Sequence, residues 1–401
     1  MQIKPILAAL RRHRLAAVLI GMEIALACAI LCNALFLVAH RLDGMHVDSG
    51  VDQDRLVTVM LSGVDDSHAA DLVARLRRGF KGIAGVQSVA VANAAPFTQQ
   101  AGEAGFRIDV DDPKVHNEGH FYVAGPDFAK TLGLTLAAGR WFKPGEYGPM
   151  DNFVPRSPSI MVDAAYAARL WPGEDPLGKM VFAMDHEYRV IGTYESLVRP
   201  NPDAYATHNT FLLTGQPGAR LAAGYVVRTT PQQTARVWRE ARALVARVAP
   251  GVVVDPDHSG PMLALRHAYF ASDRAMAGIL AGVIVALLLV TALGIVGLAS
   301  FWVAQRRKQI GVRRALGATR GDILRYFQTE NFLIVSFGIA LGMLLAFGLN
   351  LVLMQHYELP RLPFLYLPAG AVALWLLGQL AVLAPALRAA AVPPVVATRS
   401  V

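Results

Sequence analysis

The chain has 401 residues, of which 54% are hydrophobic and 17% charged, whereas a soluble protein carries about a quarter charged residues. That deficit excludes an entirely soluble enzyme. The net charge of +8 would suit nucleic acid, yet the region from Arg41 to Arg274 holds 24 basic and 26 acidic residues. The excess sits in short segments beside apolar runs, so nucleic acid is excluded as a partner.

In chain order, Met1 to Arg14 mixes Ile3, Ile6, Leu7 and Leu10 with Lys4, Arg11, Arg12 and Arg14. This suits a helix lying among lipid headgroups, or an extension of the first span. Four runs reach the ~20 residues that cross a ~30 Å hydrocarbon layer. The first, Leu15 to Val38, is too long for a cleaved signal and reads as an uncleaved anchor. Gly21, Ala25 and Ala29 place small residues on one of its faces, which permits close helix packing. Glu23 is the only charge in any of the four runs. An intramembrane carboxylate is costly, so pairing with a polar group of another helix is expected. The only cysteines, Cys28 and Cys32, lie one turn apart in this run, so the region from 41 to 274 stands without a disulfide.

That region opens and closes with two similar units. Strand Leu56 to Leu61, helix His68 to Lys81 and strand Val86 to Val91 form the first. Strand Tyr225 to Thr229, helix Pro231 to Val248 and strand Val252 to Asp255 form the second. The patterns predict two β-α-β units, within 41–100 and 221–262, pairing into a ferredoxin-like layer. Residues 101–220 read as a β-rich insertion with one helix starting at Asp163 and stopped by Pro172-Gly173. His116 and His120 flank a stretch containing Gly119, which disfavours the helix a zinc pair needs; a solvated loop is expected. No GxxxxGK[ST], HExxH, GxSxG or GxGxxG motif occurs, so no catalytic, cofactor or metal site is predicted in this chain.

Spans two to four follow at 275–304, 331–355 and 364–387. Gly278 and Gly282 in the second, and Gly338 and Gly342 in the third, repeat the small-residue spacing, and at least one such face is expected to meet a partner chain. Between the second and third spans, residues 305–330 carry Arg306, Arg307, Lys308, Arg313, Arg314, Arg320 and Arg325, with Asp322 the only acid before Glu330. Cations in short segments beside spans face the cytoplasm. This puts the loop and both termini, with Arg388 and Arg399, inside the cell and residues 41–274 outside. Gly311 and Gly317 punctuate the loop, and Thr319 with Asp322 reads as a capping box opening a new helix. The local expectation is helix, break, helix. Ala315, Leu316, Gly317 and Ala318 offer small and apolar surface to a partner's groove, while nearby arginines meet an acidic rim or membrane lipid phosphates.

The run from Arg306 to Arg320, then Asp322-Ile323 and Glu330, resembles the FtsX-type permease domain of MacB-like ABC transporters. So do Pro385-Ala386-Leu387-Arg388-Ala389-Ala390 and Pro394-Val395 near the C-terminus. Gly125-Pro126-Asp127-Phe128, Leu132-Gly133-Leu134, Ala138-Gly139-Arg140-Trp141-Phe142 and the run from Leu170 to Lys179 are similar to the periplasmic core domain of the same family. Gln309 departs from the pattern, standing where the family often has Glu. The resemblance implies a membrane protein with four transmembrane α-helices and a large extracytoplasmic α+β domain inserted between helices 1 and 2. It implies a bacterial inner-membrane permease that is not itself an enzyme and works as a dimer with a second permease copy or a homologous one. ATP and Mg would be bound by a separate ABC ATPase subunit. The residues implied to couple to that ATPase are Gln309, Ile310, Gly311, Arg313, Arg314, Ala315, Leu316, Gly317, Ala318, Thr319 and Asp322. Export of antibiotics, peptides or lipids, with a periplasmic adaptor and an outer-membrane channel, is the implied activity. Control of a periplasmic hydrolase or sensor, or extraction of lipoproteins, is the alternative.

Overall fold

The computed structural model describes residues 14–98, 102–109, 117–151, 154–183, 186–202, 208–218, 220–357 and 361–392. The interfacial segment expected before Arg14 and the histidine at 116 lie outside them. The chain divides into two units, one comprising residues 1–42 and 273–401, the other Asp43–Ser272.

The second unit is α+β and contains two large sheets and a two-strand ribbon. Strands β1 (Leu56–Ser62), β2 (Ser88–Val91), β12 (Gly224–Arg228) and β13 (Val253–Val254) pair antiparallel in the order β13-β1-β12-β2, with the two-residue β14 (Gly260–Pro261) also on β1. Helices α2 (Ala69–Lys81) and α5 (Thr234–Val248) bridge them, and the short helix α6 (Met262–Tyr269) closes the unit. This is the strand order of a ferredoxin-like pair of β-α-β units. Both faces of the sheet are buried, which is why β1 reads as a nearly continuous apolar run. Val57, Val59 and Leu61 meet Leu72, Leu76 and Phe80 of α2 and Val237 and Leu244 of α5, while Leu56 joins a second core containing Ala90, Tyr122 and Phe128.

The second sheet has β3 (Gly102–Phe106), β4 (Asn117–Ala124), β5 (Leu136–Gly139), β8 (Ser159–Asp163), β9 (Met180–Ala183), β10 (His186–Tyr194) and β11 (Thr210–Thr214). Its order is β3-β4-β11-β8-β10-β5, with β9 on β10. A two-strand ribbon, β6 (Met150–Asp151) and β7 (Val154–Pro155), and the short helix α3 (Phe128–Leu132) complete the insertion. Helix α4 (Ala164–Leu170) starts where the sequence suggests, because Asp163 accepts hydrogen bonds from the amides of Ala165 (2.9 Å) and Tyr166 (3.1 Å). His120 corrects the loop expectation. It lies in β4, 3% exposed, and its Nε2 accepts a 2.7 Å hydrogen bond from the Arg199 guanidinium. Strand β4 is flanked by β3 and β11, so the alternation of a covered strand turns this side chain inward.

In the first unit, four helices are long and apolar enough to cross a membrane: α1 (Arg14–Met45), α7 (Ala271–Gln305), α9 (Arg320–Tyr357) and α10 (Tyr366–Ala390). Helix α9 begins well before the apolar span predicted at 331, and α8 (Arg307–Ala315) lies between α7 and α9. The small face of α1 packs inside the chain. A Cβ at Gly342 would come within 2.5 Å of the Cys28 Cβ and 2.7 Å of the Ala25 carbonyl, and one at Gly338 within 2.8 Å of the Gly21 carbonyl. Ala29 is buried on the same face. Buried amides are satisfied across helices, as a hydrocarbon environment demands. Asn33 donates to the carbonyls of Ala29 and Ala346 at 3.0 and 3.1 Å, and Asn331 donates to that of Gly378 at 2.9 Å. Arg41 of α1 pairs with Asp273 of α7 at 2.6 Å.

Helix α7 is the least covered. No described atom lies within 4 Å of a Cβ placed at Gly278, Gly282 or Gly297, and Ile279, Leu289, Val290 and Leu293 are exposed within the single chain. Besides the Arg41–Asp273 pair, this helix meets a charge at Glu23, whose carboxylate leaves no room for a Cβ at Gly294. Here the structure departs from expectation. The carboxylate lies against a glycine backbone, and among the described residues no hydrogen bond or ion pair reaches it.

Candidate functional site: a basic elbow between two apolar helices

Helix α7 ends at Gln305 and α8 starts at Arg307, so Arg306 alone forms the joint. Its amide still donates to the Trp302 carbonyl at 3.0 Å, and its own carbonyl accepts from the Ile310 amide at 2.9 Å. Its side chain turns away from solvent. One guanidinium nitrogen lies 3.0 Å from Oε1 and 2.9 Å from Oε2 of Glu330 in α9, and the guanidinium also sits over the Trp302 ring at 5.8 Å. Glu330 is 2% and Arg306 8% exposed. Removing one member of such a buried pair costs about 3–5 kcal/mol, because the other charge is left uncompensated. The end of α7 and the early part of α9 are thereby fastened to each other and to the start of α8.

Helix α8 ends in a Schellman arrangement. The Gly317 amide donates to the Arg314 carbonyl (3.2 Å) and the Ala318 amide to that of Arg313 (3.0 Å). This turn requires a left-handed residue, supplied by Gly317 at φ +99. The next helix opens on the box read from the sequence: the Thr319 amide donates to Asp322 Oδ2 at 3.0 Å and the Asp322 amide to Thr319 Oγ1 at 3.1 Å. Two caps within six residues make the elbow rigid.

The two faces of α8 differ. Ile310 and Gly311 are buried, and Ile310 packs with Val303, Ile323, Phe327, Ala386 and Ala389. These two therefore anchor the elbow to its own chain and offer no surface. Arg314 donates back to the Ala318 carbonyl at 3.2 Å, and Arg313 covers the Tyr326 ring at 4.7 Å. Gln309, Arg313, Ala315, Leu316 and Gly317 are exposed, with Leu316 at 83% the extreme. Val312, 45% exposed and one turn before Leu316, belongs to the same apolar face; the period of four residues signals it, although the motif alone did not. Arg306 with Glu330 was equally hidden, since the two stand 24 residues apart. The remaining sequence signal was a lone acid opening an otherwise uncharged run. Of the small-residue positions, Gly21, Ala25, Ala29, Gly338 and Gly342 come together, and Gly278 and Gly282 stay apart from them. Among the described residues, no group of three or more His, Cys, Asp or Glu side chains could hold a metal.

Four apolar helices, an α+β unit inserted after the first and a capped basic elbow between the second and third define a multi-pass membrane permease. The chain belongs to the MacB-like and FtsX-like permease family of ABC transporters: the MacB-like periplasmic core domain matches residues 15–256, and the FtsX-like permease C-terminal domain matches residues 281–394. It is similar to the macrolide export ATP-binding/permease protein MacB of a Shewanella species, with 24% identity over 58% of this chain and 35% of that protein. The protein of the same name from Chromobacterium violaceum is 25% identical over 65% of this chain and 39% of its own length. The chain thus spans under two fifths of these relatives. Among solved structures, the periplasmic region of MacB from Actinobacillus actinomycetemcomitans aligns with a TM-score of 0.36 and 15% identity, over 51% of this chain and 90% of that one.

Proposed function

We propose that this chain is the membrane subunit of an ABC transporter whose elbow docks on a separate cytoplasmic ATPase and passes its closing and opening to the extracytoplasmic α+β unit. One observation supports it most: an apolar side chain, Leu316, is held 83% exposed at the C-terminal cap of a helix that is anchored to its own chain and joined to an ion pair. An isolated flexible loop would not hold a leucine in water at a fixed place; a docking helix does. Positive residues in the elbow assign it to the cytoplasm, with both chain termini on that side and the cell membrane as its location. ATP and Mg belong to the partner. The open glycine face of α7, Gly278 and Gly282, suits a second permease copy, identical or homologous. Export of antibiotics, peptides or lipids through an adaptor and an outer-membrane channel is the activity that fits a large external unit. Rigid-body movement of α7 and α9 about the Arg306–Glu330 joint is the stroke.

The test is Leu316→Asp in the full chain, purified from cells with whatever ABC ATPase accompanies the wild type. ATPase association or its stimulation should fall at least tenfold, a loss of about 1.4 kcal/mol or more, while membrane insertion persists. Unchanged stimulation contradicts docking at this face. A wild-type chain that never brings down an ATPase contradicts the transporter reading itself.

A further inference from the structure

The α+β unit contains a half-open cavity of about 250 Å³ that the proposed stroke does not use. Three of the stretches singled out in the sequence, at 125–128, 132–134 and 138–142, converge on it. Its walls are Phe128, Leu134, Trp141, Phe142, Tyr147 and Leu212, with Asp127 and Lys130 at the lining.

The site is built rather than incidental. Asp127 opens α3 in the left-handed region at φ +70, a conformation that Asp tolerates better than most non-glycine residues. The segment bearing Trp141, Phe142 and Tyr147 is fastened by one carboxylate. Glu146 accepts two bonds from the Arg140 guanidinium (2.8 and 2.7 Å), one from the Lys143 amide (2.7 Å) and one from the Ser159 hydroxyl (2.8 Å). The Arg140 guanidinium holds the Glu146 carboxyl down at about 2, so this clamp stays closed at any physiological pH. Three aromatic rings are thus held at the surface, only half-buried, by a polar scaffold beneath them.

Size and charge narrow the occupant. Sites for drug-sized molecules occupy about 300–1,000 Å³, so this one accepts a single bulky side chain, the kind of anchor that dominates protein interfaces. The mouth is positive. Asp127 is met by Arg77 at 3.5 Å and Lys81 at 4.0 Å, and Lys130 is exposed beside it. Arg77 and Lys81 belong to α2, which packs against α5, and these two helices carry eight basic residues against two acidic ones. The region from 41 to 274 as a whole has an acidic excess, so these two helices are a basic exception to it, and Arg77 and Lys81 bring that charge to Asp127.

We infer that this cavity is a docking site for an extracytoplasmic protein partner that inserts one bulky apolar side chain flanked by acidic residues. The aromatic walls take the anchor, and the cations of α2 and α3 orient the flanking carboxylates. The inference goes beyond the transport reading and does not depend on an ATPase.

The experiment uses the full chain in nanodiscs of phosphatidylcholine and a fluorescent pentapeptide, acetyl-Asp-Glu-Trp-Glu-Asp-amide, followed by anisotropy. The peptide should bind. Replacing its tryptophan by alanine, or filling the cavity by Ala129→Trp, should weaken binding at least tenfold. Lys130→Glu, at an exposed position that leaves folding intact, should shift preference toward a lysine-flanked tryptophan peptide. Equal binding of the alanine-centred peptide overturns the anchor, as does unaltered affinity in A129W with an unchanged melting temperature. Displacement of the peptide by phosphatidylglycerol vesicles, or indifference to K130E, overturns the acidic-protein assignment.

Discussion

The second and third long helices carry the same glycine spacing in opposite surroundings. On α9, Gly338 and Gly342 press against the backbone and small side chains of α1, with no room for a Cβ. On α7, Gly278 and Gly282 face open space, and the helix shows large apolar side chains along much of its length. Spacing of this kind states that a close approach is possible. It does not state with what. The covered pair has found its partner within the chain, and the open pair awaits lipid or another chain.

The largest expected effect is where these two helices are joined. Glu330→Gln leaves the Arg306 charge buried without its counter-charge and should destabilise the membrane unit by about 3–5 kcal/mol. Thermal unfolding in detergent reads this. Arg306→Gln combined with Glu330→Gln should recover most of the loss, and no recovery would mean that the pair is not what fastens α7 to α9. Next comes Gly342→Leu, which forces a side chain onto Cys28 and Ala25 and should cost about 1–3 kcal/mol or more by overpacking. A melting temperature equal to wild type would dissolve the contrast between the helices. Smallest in the folded chain is Gly278→Leu, expected within about 0.5 kcal/mol. Its effect should appear instead in association of copies on native gels. Unaltered assembly there would leave the α7 face to lipid.

Local chemistry was the legible part of the fold. The ferredoxin-like pairing showed in β1 and β12 because burial on both faces writes continuous apolar runs, and α2 and α5 showed their period of 3.6. The start of α4 at Asp163 and the Thr319–Asp322 box were readable because caps act over two or three residues. Partners distant along the chain were not. The link from Arg306 to Glu330, the meeting of Glu23 with Gly294 and the inward turn of His120 depend on which elements become neighbours. Ile310 and Gly311 look like surface within their motif, and become anchors only because Phe327 and Ala386 arrive from two other helices. The cavity walls come from several segments, so their sequence showed the motifs and not their convergence.

In the proposed transporter, the elbow carrying Leu316 faces the cytoplasm with that side chain free for a partner. Leu316→Cys, treated in intact cells with a membrane-impermeant maleimide, measures this directly, since Cys28 and Cys32 are fully buried. No labelling is expected in intact cells, and rapid labelling once the inner membrane is opened. Labelling of intact cells would place the elbow outside, and no cytoplasmic ATPase could then grip it.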